Sequence, residues 1–192
     1  LYFVEATAKG FSRRLLTAVD KTRTTVELVF DGVVADLVSQ DPGVFDRVLD
    51  AGRVMQAADT LGAAQYALDQ AVDYAKQRKQ FERVIGSFQA VKHMCAEMAA
   101  SLEPCRSLVW YAGHALDHIP EESRVTACHA KAHLAEVGRF VAKTATEVHG
   151  GMGFTDLVGL HYWFKRIGAN RQLLGSPELV REEAARLQGM VA

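Results

Sequence analysis

Phe88, Val91, Cys95, Met98, Leu102, Cys105 and Val109 follow one another at alternating steps of three and four residues without a miss. Apolar residues at that spacing stay on one side of an α-helix for about six turns, and such a seam is stable only when other helices cover it. The chain is therefore expected to build an up-and-down bundle. Pro104 lies inside the series. Proline deletes one backbone hydrogen bond, but the stripe continues in phase beyond it, which predicts a kink and not an end. The neighbouring helices follow the same logic. One starts at about Val44 and carries Val54, Ala58, Leu61, Leu68, Val72 and Ala75. After a break at Asp117 to Glu122, which contains Pro120, another carries Leu134, Val137, Val141 and Val148 and stops at Gly150-Gly151-Met152-Gly153. A fourth carries Leu157, Leu160, Phe164 and Ile167, and a last one runs from about Pro177 to Gln188, with proline at a permitted first-turn position.

The first forty residues have a different period. Thr24 to Phe30 is rich in β-branched residues, partly alternates and is followed by the turn signal Asp31-Gly32. Leu1 to Val4 and Ala35 to Val38 read as weaker strands. About three short strands cannot bury two faces, so residues 1–40 are expected to be the end of a β-domain whose other strands lie outside this sequence. Residues 41–192 form the helical unit. The fold class is thus mainly α, a helical bundle preceded by a β fragment.

Composition narrows the function. Lys and Arg number 22 against 23 Asp and Glu, and the densest basic cluster is Arg78, Lys79 and Arg83. That balance argues against a nucleic-acid partner, whose binding would need clustered cations. No stretch reaches the roughly 20 apolar residues of a membrane span, and the start, Leu1 to Glu5, has neither a basic n-region nor a small-residue cleavage site, so a cytoplasmic location is expected. Cys95, Cys105 and Cys128 are odd in number and sit among apolar helical neighbours, as small core residues do. His114 with His118, and His129 with His133, have the i, i+4 spacing of a metal pair, but neither pair carries the Glu of a zincin motif. No metal is expected. A nucleophile elbow is also absent, which removes hydrolase readings.

Two constellations remain. Tyr74-Ala75-Lys76-Gln77-Arg78-Lys79-Gln80-Phe81 is a helix end with three basic residues and then an aromatic. It is either a solvated terminus favoured by the helix dipole or an anion clamp, in which Arg78 forks a pyrophosphate and Phe81 faces a planar ring. Gly150-Gly151-Met152-Gly153 is either a set of left-handed caps or a place where backbone N–H groups approach a phosphate.

Together, Tyr74 to Gln89 (Y-x-x-x-R-x-Q-F-x-x-x-I-x-x-F-Q) and Val148-His149-Gly150-Gly151-Met152-Gly153-Phe154-Thr155 resemble the C-terminal helical domain of acyl-CoA dehydrogenases. The resemblance extends back through Gly62 to Phe30-Asp31-Gly32-Val33 and Asp20-Lys21-Thr22-Arg23. It implies FAD as cofactor, with the flavin ring in one subunit and its pyrophosphate and adenine reaching a neighbour. The positions carried over for the cofactor are Arg78, Gln80, Phe81, Phe88, Gln89, Glu147, Gly150 and Gly151. An acyl-CoA substrate is implied, and electron-transfer flavoprotein or oxygen as electron acceptor.

The family's reaction needs one glutamate to remove the α-proton while the β-hydrogen leaves as hydride. Here the chain departs from the pattern. Leu174, 23 residues past Gly151, stands where that glutamate is expected, and Gly52, just before Arg53, stands at the alternative position. No catalytic residue is therefore assigned. Glu147 replaces the usual glutamine, and a carboxylate about 4 Å from a phosphate would cost on the order of 4 kcal/mol at an effective dielectric near 20. Glu82 replaces a glycine after the clamp Phe. The resemblance is to one subunit of the actinobacterial steroid-degrading heteromers, of α2β2 type, in which a partner keeps the base. Two alternatives stand beside it: a self-sufficient enzyme whose base has moved to Asp156 or Glu178, and a non-catalytic scaffold.

Overall fold

The computed structural model describes residues 1–191. Four strands come first: β1 (Tyr2–Phe3), β2 (Phe11–Leu16), β3 (Thr25–Phe30) and β4 (Asp36–Leu37). β2 pairs antiparallel with β3, Phe11 opposite Phe30 and Leu16 opposite Thr25, while β1 pairs with β4. The strand β2 was not anticipated, because Arg13-Arg14 interrupts any apolar alternation in Phe-Ser-Arg-Arg-Leu-Leu. Asp31-Gly32 does not close a hairpin either. It follows β3, where the Asp31 N–H donates to Gly10 O at 2.9 Å and Gly32 takes φ +60°. Leu15, Leu28, Val29 and Phe30 are exposed on this ribbon.

Every helix lies beyond residue 41. α1 (Pro42–Gln77) begins at Asp41, whose carboxylate accepts from the Gly43 N–H at 2.8 Å, with proline in the first turn. A short hairpin, β5 (Lys79–Gln80) and β6 (Arg83–Val84), leads to α2 (Gln89–His118). That helix runs unbroken through Pro104. Only Ile119 separates it from α3 (Pro120–His149), which starts with proline and two glutamates, groups that suit a helix N-terminus. A 3₁₀ turn (Gly150–Phe154) precedes α4 (Leu160–Gln172) and α5 (Pro177–Leu187).

The seam of α2 is buried at Met98, Leu102, Cys105 and Val109, against α1 and α3. Alanines such as Ala57, Ala64, Ala71, Ala130 and Ala145 let the helices approach closely. At the tightest point a Cβ on Gly138 of α3 would lie 2.5 Å from Thr60 Cγ2 of α1, so only glycine fits. Three apolar expectations fail at the edges. Ala58 is exposed, Phe164 is 45% exposed, and Leu157 is 86% exposed and precedes α4. They lie on the outside of the helix or before it, where a period alone cannot tell a core face from an open one.

Ion pairs join elements distant in sequence. Asp59 of α1 accepts from Arg23 (2.6 Å), Asn170 (2.6 Å) and Arg166 (3.0 Å), so the loop before β3 is tied to α1 and α4. Buried Arg53 pairs with Glu183 at 2.7 Å and Asp50 at 3.6 Å, tying α1 to α5. Buried Lys131 donates to Asn170 O at 2.7 Å and to Arg171 O at 3.3 Å, capping the end of α4 from another helix.

Candidate functional site

The end of α1 and the end of α3 meet around a cavity of about 510 Å³. Arg78 leaves the helix in an extended conformation, its N–H donating to Tyr74 O at 2.8 Å, and Ile85 N–H closes the hairpin by donating to Arg78 O at 2.8 Å. The two turn residues, Phe81 (φ +52°) and Glu82 (φ +65°), are both left-handed. That backbone suits a two-residue hairpin and is costly for a side chain with a Cβ, so Glu82 occupies a conformation made for glycine. A Cβ on Gly86 would lie 2.9 Å from Ala75 O, which shows how tightly the chain folds back on α1.

On the other wall, α3 ends because Gly150 turns to φ +58°, ψ −140°. Nothing lies within 4 Å of a Cβ built on Gly150 or Gly151, so the backbone there is open to close approach. Gly153 is the reverse case. Its Cβ would meet Thr146 O at 2.9 Å and His149 Cβ at 3.1 Å, so the turn is packed onto the helix end.

Of the eight residues expected at a cofactor site, Arg78, Gln80, Glu147, Gly150 and Gly151 line this one cavity. Phe81, Phe88 and Gln89 do not; they stand along the adjoining hairpin and the start of α2. Phe81 is 84% exposed, edge-on to Phe88 at 6.1 Å, and the Arg83 guanidinium lies 3.9 Å over the Phe88 ring. Glu147 is paired with Lys143 at 3.6 Å, which offsets the repulsion that its carboxylate would bring to an anion. Tyr74 and His149 complete the wall, stacked at 4.5 Å. Both stood in the sequence motifs, but no local pattern shows that they touch.

A second cavity, about 520 Å³, opens between the loop before β3 and α4. Its lining is mostly apolar, with Ala18, Val19, Phe164, Ala169 and Leu173, together with Asp20, whose buried Oδ2 has no hydrogen-bond partner. No sequence motif announced it, since its two walls lie far apart in the chain.

Gly52 and Leu174 face each other. A Cβ on Gly52 would lie 2.7 Å from Leu174 Cδ1, and Arg53 Nε donates to Leu174 O at 3.2 Å. Leu174 itself has φ +60°. The alternative carboxylates are engaged elsewhere. Glu178 pairs with Arg171 at 2.8 Å, and the backbone N–H at the helix start, Ser176 and Arg171 hold its carboxyl down to about 2. Asp156 pairs with His161 at 3.1 Å and is well exposed.

The histidine pairs stay two-membered, and among the described residues no group of three or more His, Cys, Asp or Glu could hold a metal ion. Cys105 and Cys128 are buried and Cys95 half-buried; burial pushes the Cys128 thiol up to about 11. Among the described residues, no helix is long and apolar enough to cross a membrane.

Comparison with known proteins places this geometry. Residues 43–188 match the family "Acyl-CoA dehydrogenase, C-terminal domain". Acyl-CoA dehydrogenase IpdE2 of Mycobacterium tuberculosis is 33% identical over 181 residues, 94% of this chain and 52% of that protein. Among solved structures, a variant of the Tcur3481-Tcur3483 steroid ACAD superposes with a TM-score of 0.89 at 28% identity, covering 98% of this chain and 51% of that one. Butyryl-CoA dehydrogenase from Megasphaera elsdenii gives a TM-score of 0.89 at 26% identity, over 96% of this chain and 50% of its own. The chain thus spans about half the length of the relatives that it matches. With its helical bundle, its paired helix ends and a family match over most of its residues, the chain belongs to the acyl-CoA dehydrogenase family.

Proposed function

We propose that this chain takes part in flavin-dependent α,β-dehydrogenation of an acyl-CoA thioester, as one subunit of a hetero-oligomer whose partner supplies the catalytic glutamate. The observation that carries the proposal is the meeting of Gly52 with Leu174. Both positions at which the family resemblance places the base converge on one spot, where a Cβ on Gly52 would lie 2.7 Å from Leu174 Cδ1, and neither residue carries a carboxylate. A concerted removal of proton and hydride needs a carboxylate there, so another chain must bring it.

Acyl-CoA dehydrogenases are FAD-dependent flavoproteins, and the residues present fit that cofactor. Arg78, Gln80 and the open backbone at Gly150 and Gly151 suit a pyrophosphate: a guanidinium fork, an amide donor and a place where no side chain blocks approach. Phe81 and Phe88 offer aromatic faces beside it. The largely apolar cavity lined by Val19, Phe164, Ala169 and Leu173 would suit a planar ring. FAD, when bound, supplies the acceptor for the substrate's β-hydrogen. This chain's own side chains, Arg78 and Gln80 with the backbone at Gly150 and Gly151, would hold and orient the cofactor.

Support for a steroid acyl group and a heteromeric assembly comes from the likeness to the steroid ACAD. Electron-transfer flavoprotein is the proposed onward acceptor. A relocated base is less favoured, because a carboxyl held at about 2 is a weak proton acceptor and Asp156 is engaged by His161 in solvent. The test is flavin absorbance and acyl-CoA-dependent bleaching of the purified full-length protein, alone and co-expressed with homologous subunits. A yellow complex that bleaches only with a partner is expected. Bleaching by this protein alone would overturn the division of labour.

A further inference from the structure

We infer that His149 is a ligand of the bound cofactor's pyrophosphate, donating to it through Nε2 as an imidazolium, so that this half of the site gains affinity by taking up a proton. The inference rests on the proposed reading of the cavity between the ends of α1 and α3.

Three observations carry it. First, His149 is 3% exposed and yet lines the cavity with Arg78, Gln80 and Gly150. Second, its ring has a fixed hydrogen. Nδ1 lies 2.7 Å from Ala145 O, and a carbonyl oxygen only accepts, so Nδ1 carries a proton. Among the described residues, Nε2 has no hydrogen-bond partner, and it is not among the atoms sealed from solvent. Third, the ring is held on both sides: Tyr74 stacks on it at 4.5 Å and 26°, and Gly153 packs against its Cβ side. A cation over the face of a tyrosine is favoured.

With Nδ1–H already committed, neutral His149 offers the cavity only a lone pair, which repels an anion. Protonation turns Nε2 into a charge-assisted donor beside Arg78. The other charged or titratable groups facing the ring are Tyr74 and Arg78 from the α1 side and Glu147, with its partner Lys143, from α3. The turn Gly150–Phe154 contributes none.

The test is reconstitution of the deflavinated full-length protein, with its partner subunit if one is needed, by FAD between pH 5.5 and 8.5. A pyrophosphate diester keeps its charge over that range, so the ligand does not titrate. FAD affinity is expected to fall about tenfold across it, which is about 1.4 kcal/mol, and calorimetry in buffers of different ionisation enthalpy should show proton uptake at pH 7.5. H149Q, which keeps a neutral donor, should bind with a flat pH profile. H149F, which keeps the ring and its stack on Tyr74, should bind at all pH values as wild type does at pH 8.5 or more weakly. Flat wild-type affinity, or an undiminished slope in H149Q, would overturn the inference and leave the proposed function standing. Failure to bind FAD at any pH, alone or in complex, would overturn both.

Discussion

Replacing Leu174 by glutamate should give this chain a base of its own. Leu174 is 40% exposed, so roughly six-tenths of its side chain is out of water. Full burial of a leucine is worth about 1.5–3 kcal/mol, and the substitution should cost about 1–2 kcal/mol of stability. The backbone adds nothing to that cost, since Leu174 already holds φ +60° and glutamate has the same Cβ. Room exists as well: the atom crowding Gly52 is Leu174 Cδ1 itself, which the variant replaces. A positioned general base contributes roughly 10²–10⁴-fold to a proton abstraction. In stopped-flow measurements of acyl-CoA-dependent bleaching, L174E without a partner subunit should therefore exceed wild type by at least ~10²-fold. L174Q, equal in shape, should not. If L174E binds FAD and melts within the expected range but reduces flavin no faster than L174Q, the assignment of this spot as the base position is wrong.

Three further predictions concern stability. Burial pushes the Asp59 carboxyl up, but hydrogen bonds from Arg166 and Asn170 and the charge of Arg23 outweigh it and hold it below the usual range. D59N should lower stability by about 2–4 kcal/mol in urea titrations, because two guanidinium groups lose their counter-charge. Its folded-state value is depressed, so the contribution of Asp59 is present above the ordinary carboxylate range and lost as pH falls through the lower one; a D59N variant as acid-sensitive as wild type would contradict this. Burial also pushes Lys131 down to about 8 from 10.5. Between those values the unfolded chain binds more protons, so wild type should gain on the order of 3 kcal/mol over K131M as pH rises from 8 to 10.5. Taking the difference between the two proteins cancels Cys128, which works in the opposite direction. Finally, E82G should raise stability by about 0.5–1 kcal/mol in thermal melts, since glycine adopts the left-handed turn without the Cβ clash; a lower melting temperature would show that Glu82 is held by more than its backbone.

The sequence alone determined much of this protein. The three-and-four stepping of Phe88 to Val109, the proline at 177 and the glycines after His149 are local signals, and secondary structure answers to local signals. The same holds for the residue types of the candidate site, since Arg78, Gln80 and the glycines stood together in motifs that resembled one family. What local pattern could not reach is where distant residues meet. β2 escaped because its pairing with β3, not its own alternation, makes it a strand. Tyr74 stacks on His149, Asp20 faces α4, and Gly52 comes under Leu174 only because the register of α1 against its neighbours puts them there. That register is set by the close approach at Gly138 and by the ion pairs of Asp59 and Arg53, each of which joins elements distant in sequence. Periodicity says which face of a helix is buried; only packing decides what lies against it.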